Sequence, residues 1–181
     1  MKELFDDSIL LDVDKIAKEL YCKKSEILGD LRACFGNEIF CLDGMVDYRT
    51  LANKVFSSEK ELKKLNDLMF RPIEQKVENL IDINKDKKCI IIDAAILFET
   101  KLYKLCDYII WVRADKNRRK KFLRKKSDLT DDEIKIRLEG QNIKIKRKLV
   151  NFIIDNNGSK RNLRRQVEQI VQEIQATQAA V

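Results

Sequence analysis

Cys89-Ile90-Ile91-Ile92-Asp93 is four apolar residues in a row, three of them β-branched, stopped by an acid. A continuous apolar run of this length, not an alternating one, predicts a parallel strand covered on both faces. Tyr108-Ile109-Ile110-Trp111-Val112, stopped by Arg113, repeats the pattern. Weaker copies are Ile9-Leu10-Leu11 before Asp12 and Phe152-Ile153-Ile154 before Asp155. Helical patterns lie between these runs. Strands alternating with helices predict an α/β layer architecture with a parallel sheet flanked by helices. The ligand crevice of an open α/β sheet lies at the strands' C-terminal ends, so the residues that end each run are site candidates.

From Ser58 to Ile81, Leu62, Leu65, Leu68, Met69, Ile73, Val77 and Leu80 recur mostly at helical spacing, with Pro72 predicting a kink or break. Thr130, with Glu133 three residues on, has the spacing of a capping box, and this helix is predicted to run through Leu138 toward Leu149. Gly158-Ser159 precedes a final helix whose apolar face holds Leu163, Val167, Ile170, Val171 and Ile174. The closing Ala176 to Val181 is expected to fray. There is no internal repeat and no linker, so residues 1–181 read as one domain.

Composition narrows the chemistry. Hydrophobic residues at 44% and charged residues at 37%, with one Pro and five Gly, describe a soluble globular chain rather than a disordered or turn-rich one. No run approaches the roughly 18 apolar residues of a membrane span, and the acidic N-terminus is unlike a signal peptide, so a cytoplasmic location is expected. There is no histidine, and none of the five cysteines forms a C-x-x-C pair, which argues against zinc and against His-based triads. Scattered cysteines in such a chain are expected to be buried small hydrophobes. Any general base is then a carboxylate or a lysine. The net charge of +7 suggests an anionic partner, without choosing among nucleic acid, membrane surface and phosphorylated metabolites.

An ordered set of segments resembles the dephospho-coenzyme A kinases, and covers nearly the whole chain. Leu11-Asp12-Val13-Asp14-Lys15-Ile16-Ala17 is similar to the family's I-D-A-D-x-I-A, and is followed by Phe35-Gly36. Asp43-Gly44-Met45-Val46-Asp47-Tyr48-Arg49-Thr50-Leu51 resembles D-G-x-L-D-R-x-x-L. Val55-Phe56 and Leu62 through Pro72 resemble V-F followed by L-x-x-L and H-P. Asp93-Ala94-Ala95-Ile96-Leu97-Phe98-Glu99 resembles D-x-P-L-L-F-E, and Ile154-Asp155-Asn156-Asn157-Gly158 resembles I-D-N-x-G. Arg124, Arg137 and Gln141 fall where the family has its lid and lid-flanking residues. Departures are Tyr48 for the family Arg, Arg71 for the His before Pro, and Ala95 for a Pro. The segment from Arg147 to Val150 also reads one residue short.

The resemblance implies a three-layer P-loop kinase-like fold, with about residues 23–85 as a helical substrate-binding insertion and about 120–148 as the lid and its flanking helices. It implies transfer of the γ-phosphate of ATP, with Mg²⁺, to the ribose 3′-hydroxyl of dephospho-coenzyme A. A P-loop, G-x-x-x-x-G-K-[ST], holds the phosphates in such kinases through backbone N–H groups at a helix N-terminus. None occurs here: no glycine among Gly29, Gly36, Gly44, Gly140 and Gly158 is followed by a G-K-[ST] sequence. Set against the family spacing, the first strand, the loop and much of its helix, roughly 20 residues, are expected to be missing. Met1 would then fall inside that helix, and the chain as given is expected to be inactive.

By resemblance Asp14 is the catalytic base that accepts the 3′-hydroxyl proton; an Asp there also suits a helix N-cap. Asp12 is a substrate-side residue that orients it. Asp93 takes the place of a Walker B acid on Mg²⁺, or caps its strand. Arg49, Arg71 and Arg147 are candidate substrate contacts, with surface ion pairing as the ordinary alternative. Arg124 and Arg137 are candidate lid contacts to ATP, and Asn156 and Gly158 candidate adenine-loop residues, although Gly158 also suits a simple turn. The run from Arg113 to Lys126 holds nine basic residues and supports a rival reading as a non-catalytic nucleic-acid or anion binder. Phe122 is its only aromatic, which argues against base stacking and makes nucleic acid an unlikely partner. Another nucleotide kinase is the second rival. The oligomeric state is left open.

Overall fold

A computed structural model describes residues 7–22, 26–56, 58–126, 130–140 and 145–179. These fall into two compact units, one spanning Asp7–Leu102 and the other beginning at Tyr103.

In the first unit, β1 (Ser8–Asp12) leads directly into α1 (Val13–Glu19). Then come α2 (Ile27–Phe35), α3 (Tyr48–Val55), α4 (Glu59–Ile83) and β2 (Cys89–Asp93). The two strands pair in parallel, Ser8 with Cys89 through Asp12 with Asp93. Helix α4 is the scaffold: α1, α2 and α3 all pack on it. Its apolar stripe buries Met69, Ile73 and Val77 against a core that includes Val13, Leu31 and Phe35.

Pro72 does not break α4, which runs without interruption for 25 residues. The missing N–H and the clash with the preceding turn cost stability, on the order of 3 kcal/mol in an isolated helix. The neighbouring buried side chains Met69 and Ile73 offset that cost through tertiary packing. Ser58 starts the helix, accepting a hydrogen bond from the Glu61 N–H at 3.2 Å.

In the second unit, β3 (Ile110–Arg113) pairs in parallel with β4 (Phe152–Asp155), with Arg113 opposite Asp155. α5 (Lys116–Lys126) and α6 (Asp131–Gly140) lie between them in sequence, and α7 (Lys160–Ala179) follows β4. Ile154, Ile170 and Ile174 form the core beneath β4. α6 begins directly after Thr130 and is described as far as Gly140, and a 3-10 turn, not α-helix, covers Arg147–Leu149. Gln141 and the Glu133 and Arg137 side chains lie outside what is described. α7 carries on through the Ala176-Thr177-Gln178 segment that was expected to fray. Alanine and glutamine favour helix, and the Thr177 hydroxyl donates back to the Glu173 carbonyl at 2.9 Å.

Two further expectations are corrected. Each strand pair is parallel, yet the apolar residues are not covered on both faces: Leu10 is 45% and Val112 53% exposed. Each strand pairs with a single partner among the described residues, so the burial of a wide sheet is not reached. The cysteines are not core residues either. Cys22, Cys34 and Cys41 are exposed, and Cys89 and Cys106 half-buried; Cys22, Cys41 and Cys106 lie outside the helices and strands.

The packing of α4 gives a direct expectation. Ile73→Ala removes a side chain only 2% exposed and should lower the unfolding free energy by about 2–5 kcal/mol in denaturant melts. Ile83→Ala, at the 74% exposed end of the same helix, should change it by about 0.5 kcal/mol or less.

Candidate active site

The register of β1 and β2 sets Asp12 and Asp93 side by side at the C-terminal ends of neighbouring parallel strands. This is where an open α/β sheet builds its crevice. Both residues are exposed. Asp12 ends its strand in extended backbone, and its Oδ1 accepts a hydrogen bond from the Lys15 N–H at 2.9 Å. Asp12 therefore is the N-cap of α1. A cap was the alternative reading of Asp14, which instead lies in the first turn with its side chain exposed. The strand–helix junction falls between Asp12 and Val13, so the first acid of D-x-D caps and the second is carried past the cap. A carboxylate in a first helical turn is favoured by the helix dipole in its ionised form, which is the state a general base needs.

Among the described residues the Asp93 carboxylate makes no hydrogen bond or ion pair, and no group of three or more potential metal ligands occurs. The donor chemistry nevertheless fits Mg²⁺ arriving with a nucleotide. That ion is held by one or two carboxylates together with phosphate oxygens and water, not by a protein cage.

Arg49 and Arg71 are exposed on α3 and α4 of the same unit. A tight turn and a cap set up Arg49. Gly44 has φ of 80°, left-handed backbone that glycine adopts without strain, and Asp43 Oδ1 accepts from the Met45 N–H at 3.0 Å. Asp47 then caps α3, accepting from the Arg49 and Thr50 N–H groups at 2.9 and 3.2 Å and from the Thr50 hydroxyl at 2.7 Å. The Thr50 hydroxyl, then its N–H, holds the Asp47 carboxyl below the usual carboxylate range. The D-G-x-x-D stretch is thus a turn followed by a cap.

Tyr48, which stands where the resemblance expects arginine, ties α3 to the end of α1. Its hydroxyl donates to the Lys18 carbonyl at 3.4 Å, and its ring meets Tyr21 edge-on, centroids 5.5 Å apart. Burial, then the neighbouring Tyr48, pushes the Tyr21 hydroxyl up to about 12, so it stays protonated.

The remaining candidates belong to the second unit. Arg124 forms a two-pronged ion pair with Asp131, its Nη2 donating to both carboxylate oxygens at 2.7 and 3.0 Å. Arg124 holds the Asp131 carboxyl below the ordinary 3.8, so the pair persists at neutral pH. A phosphate must displace Asp131 to take this arginine. Arg147 lies over the Trp111 ring, 5.5 Å from its centroid, an arrangement that steadies the ring face as well as the charge. Asn156 donates its N–H to the Arg113 carbonyl at 2.8 Å, and Gly158 completes the turn beneath α7.

Sequence reasoning missed three contacts. Asp131 lies seven residues after Arg124, with no helical spacing to pair them. Asp155 receives the Arg113 Nε–H at 3.2 Å across the strand pair, a contact that needed the register. Asp115 caps α5 through the Arg118 N–H at 2.7 Å, and here the Asp three residues before Arg118 was a readable signal.

Parallel strand pairs with helices packed on them, three of the four strands ending in an acid, define an α/β architecture. A search of solved structures agrees. A Thermus thermophilus protein, TT1252, superposes with a TM-score of 0.69 at 23% identity, covering 91% of this chain and 83% of its own. A dephospho-CoA kinase from Campylobacter jejuni gives 0.61 at 22% identity, covering 91% and 84%. At that identity the likeness speaks for the fold.

The family model for dephospho-CoA kinase matches residues 3–162. The dephospho-CoA kinase of Clostridium tetani is 32% identical over 90% of this chain and 74% of its own length. That of Arabidopsis thaliana is 32% identical over 91% and 72%. The chain belongs to the dephospho-CoA kinase family, and is a kinase by descent.

The cap assignment is testable by stability alone. Asp12→Ala should cost about 1 kcal/mol of unfolding free energy through loss of the α1 cap. Asp14→Asn, which leaves that cap in place, should cost less than Asp12→Ala in the same chemical denaturation.

Proposed function

We propose that this chain carries the acceptor side and the lid of an enzyme that moves the γ-phosphate of ATP onto the ribose 3′-hydroxyl of dephospho-coenzyme A. The observation that supports this reading best is the paired strand ends. Asp12 and Asp93 stand in register, and Asp14 follows in the first turn of α1.

In this reading Asp14 accepts the proton of the 3′-hydroxyl as its oxygen attacks the γ-phosphorus. The bond from that phosphorus to the bridging oxygen breaks, and ADP leaves with the electron pair. Asp12 holds the start of α1 and thereby the position of Asp14. Arg49, Arg71 and Arg147 take the anionic and polar parts of the acceptor. Arg124 and Arg137 take ATP phosphates, Arg124 by exchanging Asp131 for phosphate, which offers the same two-oxygen geometry with more charge. Asn156 and Gly158 lie along the adenine. Asp93 would hold Mg²⁺, which supplies charge neutralisation at the phosphate oxygens. Residues 23–85 serve as the acceptor-binding helices and residues 120–148 as the lid region, within one kinase-like domain.

Phosphoryl transfer rests almost wholly on positioning and electrostatic stabilisation of the phosphates. The 181 residues contain no G-x-x-x-x-G-K-[ST] segment to supply that cradle. Lid arginines close over phosphates but do not replace the backbone N–H groups beneath them. We infer that the chain binds dephospho-coenzyme A weakly and transfers nothing.

Incubation of the purified 181 residues with radiolabelled ATP, Mg²⁺ and dephospho-coenzyme A should yield no labelled coenzyme A. Robust turnover would mean that another site grips the phosphates. When the chain is joined to a strand and P-loop from a relative, Asp14→Asn should slow turnover by about 10²- to 10⁴-fold while ATP affinity stays within about 3-fold. Unchanged turnover would place the base elsewhere.

A further inference from the structure

The turn after β4 is held from outside by one side chain that no motif singled out. Gln166, on the second turn of α7, accepts a hydrogen bond at Oε1 from the Asp155 N–H and donates from Nε2 to the Asp155 carbonyl, both at 2.9 Å. Its carboxamide thus pairs with both backbone polar groups of one residue, as a neighbouring strand would. The pairing leaves Asp155 Oδ1 to accept the Asn157 N–H at 3.0 Å and Oδ2 to accept the Arg113 Nε–H. On the far side, the Asn156 N–H reaches the Arg113 carbonyl and Asn157 Oδ1 accepts the Asp115 N–H, each at 2.8 Å.

Through these bonds the backbone from Asp155 to Asn157 is fixed to β3, to the start of α5 and to α7. The half-buried Asn156 carboxamide is spared: among the described residues it makes no hydrogen bond. A carboxamide offers a donor and an acceptor side by side, the arrangement that matches the N6 and N7 edge of adenine. Such recognition succeeds only when the backbone beneath the side chain is held in one conformation.

We propose that Gln166 is a positioning residue that sets the Asp155–Gly158 turn so that Asn156 meets the purine of the nucleotide. This rests on the reading of that turn as the adenine loop. Gln166 itself touches no ligand. Its role is to hold the turn by both polar groups of Asp155, which an apolar residue of the same length does not do.

The test compares the 181-residue chain with Gln166→Met by amide NMR, using adenosine as the probe and uridine as the control. In the parent, adenosine should shift the Asn156, Asn157 and Gly158 amides and uridine should not. In Q166M the Asp155 amide should exchange with solvent at least about 10-fold faster. The adenosine dissociation constant read from those shifts should rise about 3- to 10-fold, the range expected for lost hydrogen bonds. Should Q166M not fold, Gln166→Glu serves: it keeps the acceptor for the Asp155 N–H, loses the donor at neutral pH, and should weaken adenosine in the same direction.

Faster exchange with adenosine affinity unchanged within 2-fold would reduce Gln166 to a helix–strand tie and overturn the proposal. Unchanged exchange would overturn it at its first step. If the parent shows no adenosine shifts at these amides, the adenine-loop reading itself falls and takes the nucleotide role of Gln166 with it, while the exchange comparison still reports whether Gln166 holds the turn.

Discussion

The in-register parallel pairing of β1 with β2 is the constraint on which the candidate site depends. Five residue pairs, from Ser8–Cys89 to Asp12–Asp93, end both strands at the same level. A slip of one residue would turn every side chain to the opposite face and separate the two acids. Because Asp12 is both the last strand residue and the α1 cap, the same register sets where α1 begins. Asp14 inherits its place from that start. Packing of α1 on α4 and β2 then fixes the helix direction, so a hydrophobic scaffold decides where the candidate carboxylate stands.

Much of what looks like chemistry in this chain is local backbone engineering. Asp12, Asp47 and Asp115 cap helices, and Gly44 with Asp43 makes a turn. These caps nonetheless serve the site, since each starts a helix that carries a candidate: Asp14 on α1, Arg49 on α3 and Arg124 on α5. The Arg124–Asp131 pair adds a second theme. An exposed pair of this kind contributes little to stability, but it keeps a guanidinium in a two-oxygen geometry suited to phosphate. An anion can exchange into it at modest electrostatic cost.

The strands were legible because their apolar runs are continuous and end in charge, and the segments after them carry helical periodicity. The family was legible from ordered short segments, above all Leu11 to Ala17 and Asp93 to Glu99. Of the kink or break that Pro72 predicts, the break does not occur, because burial of Met69 and Ile73 on either side outweighs local propensity. The cap went to Asp12 rather than Asp14 because a strand–helix junction without a loop leaves no local mark of which acid falls at the boundary. Contacts across the strand pair, Arg113 with Asp155, and from helix to strand end, Gln166 with Asp155, depend on register and helix docking. No spacing rule reaches across 42 or 11 residues to pair them.

The central claim is that Asp14 faces the acceptor hydroxyl at the C-terminal ends of β1 and β2. A crystal structure of this chain with dephospho-coenzyme A tests it most directly. The account predicts the ribose 3′-oxygen within about 2.6–3.2 Å of an Asp14 carboxylate oxygen, directly or through one water. A well-ordered ribose bound away from Asp14, with another carboxylate or a lysine at the 3′-oxygen, would contradict it.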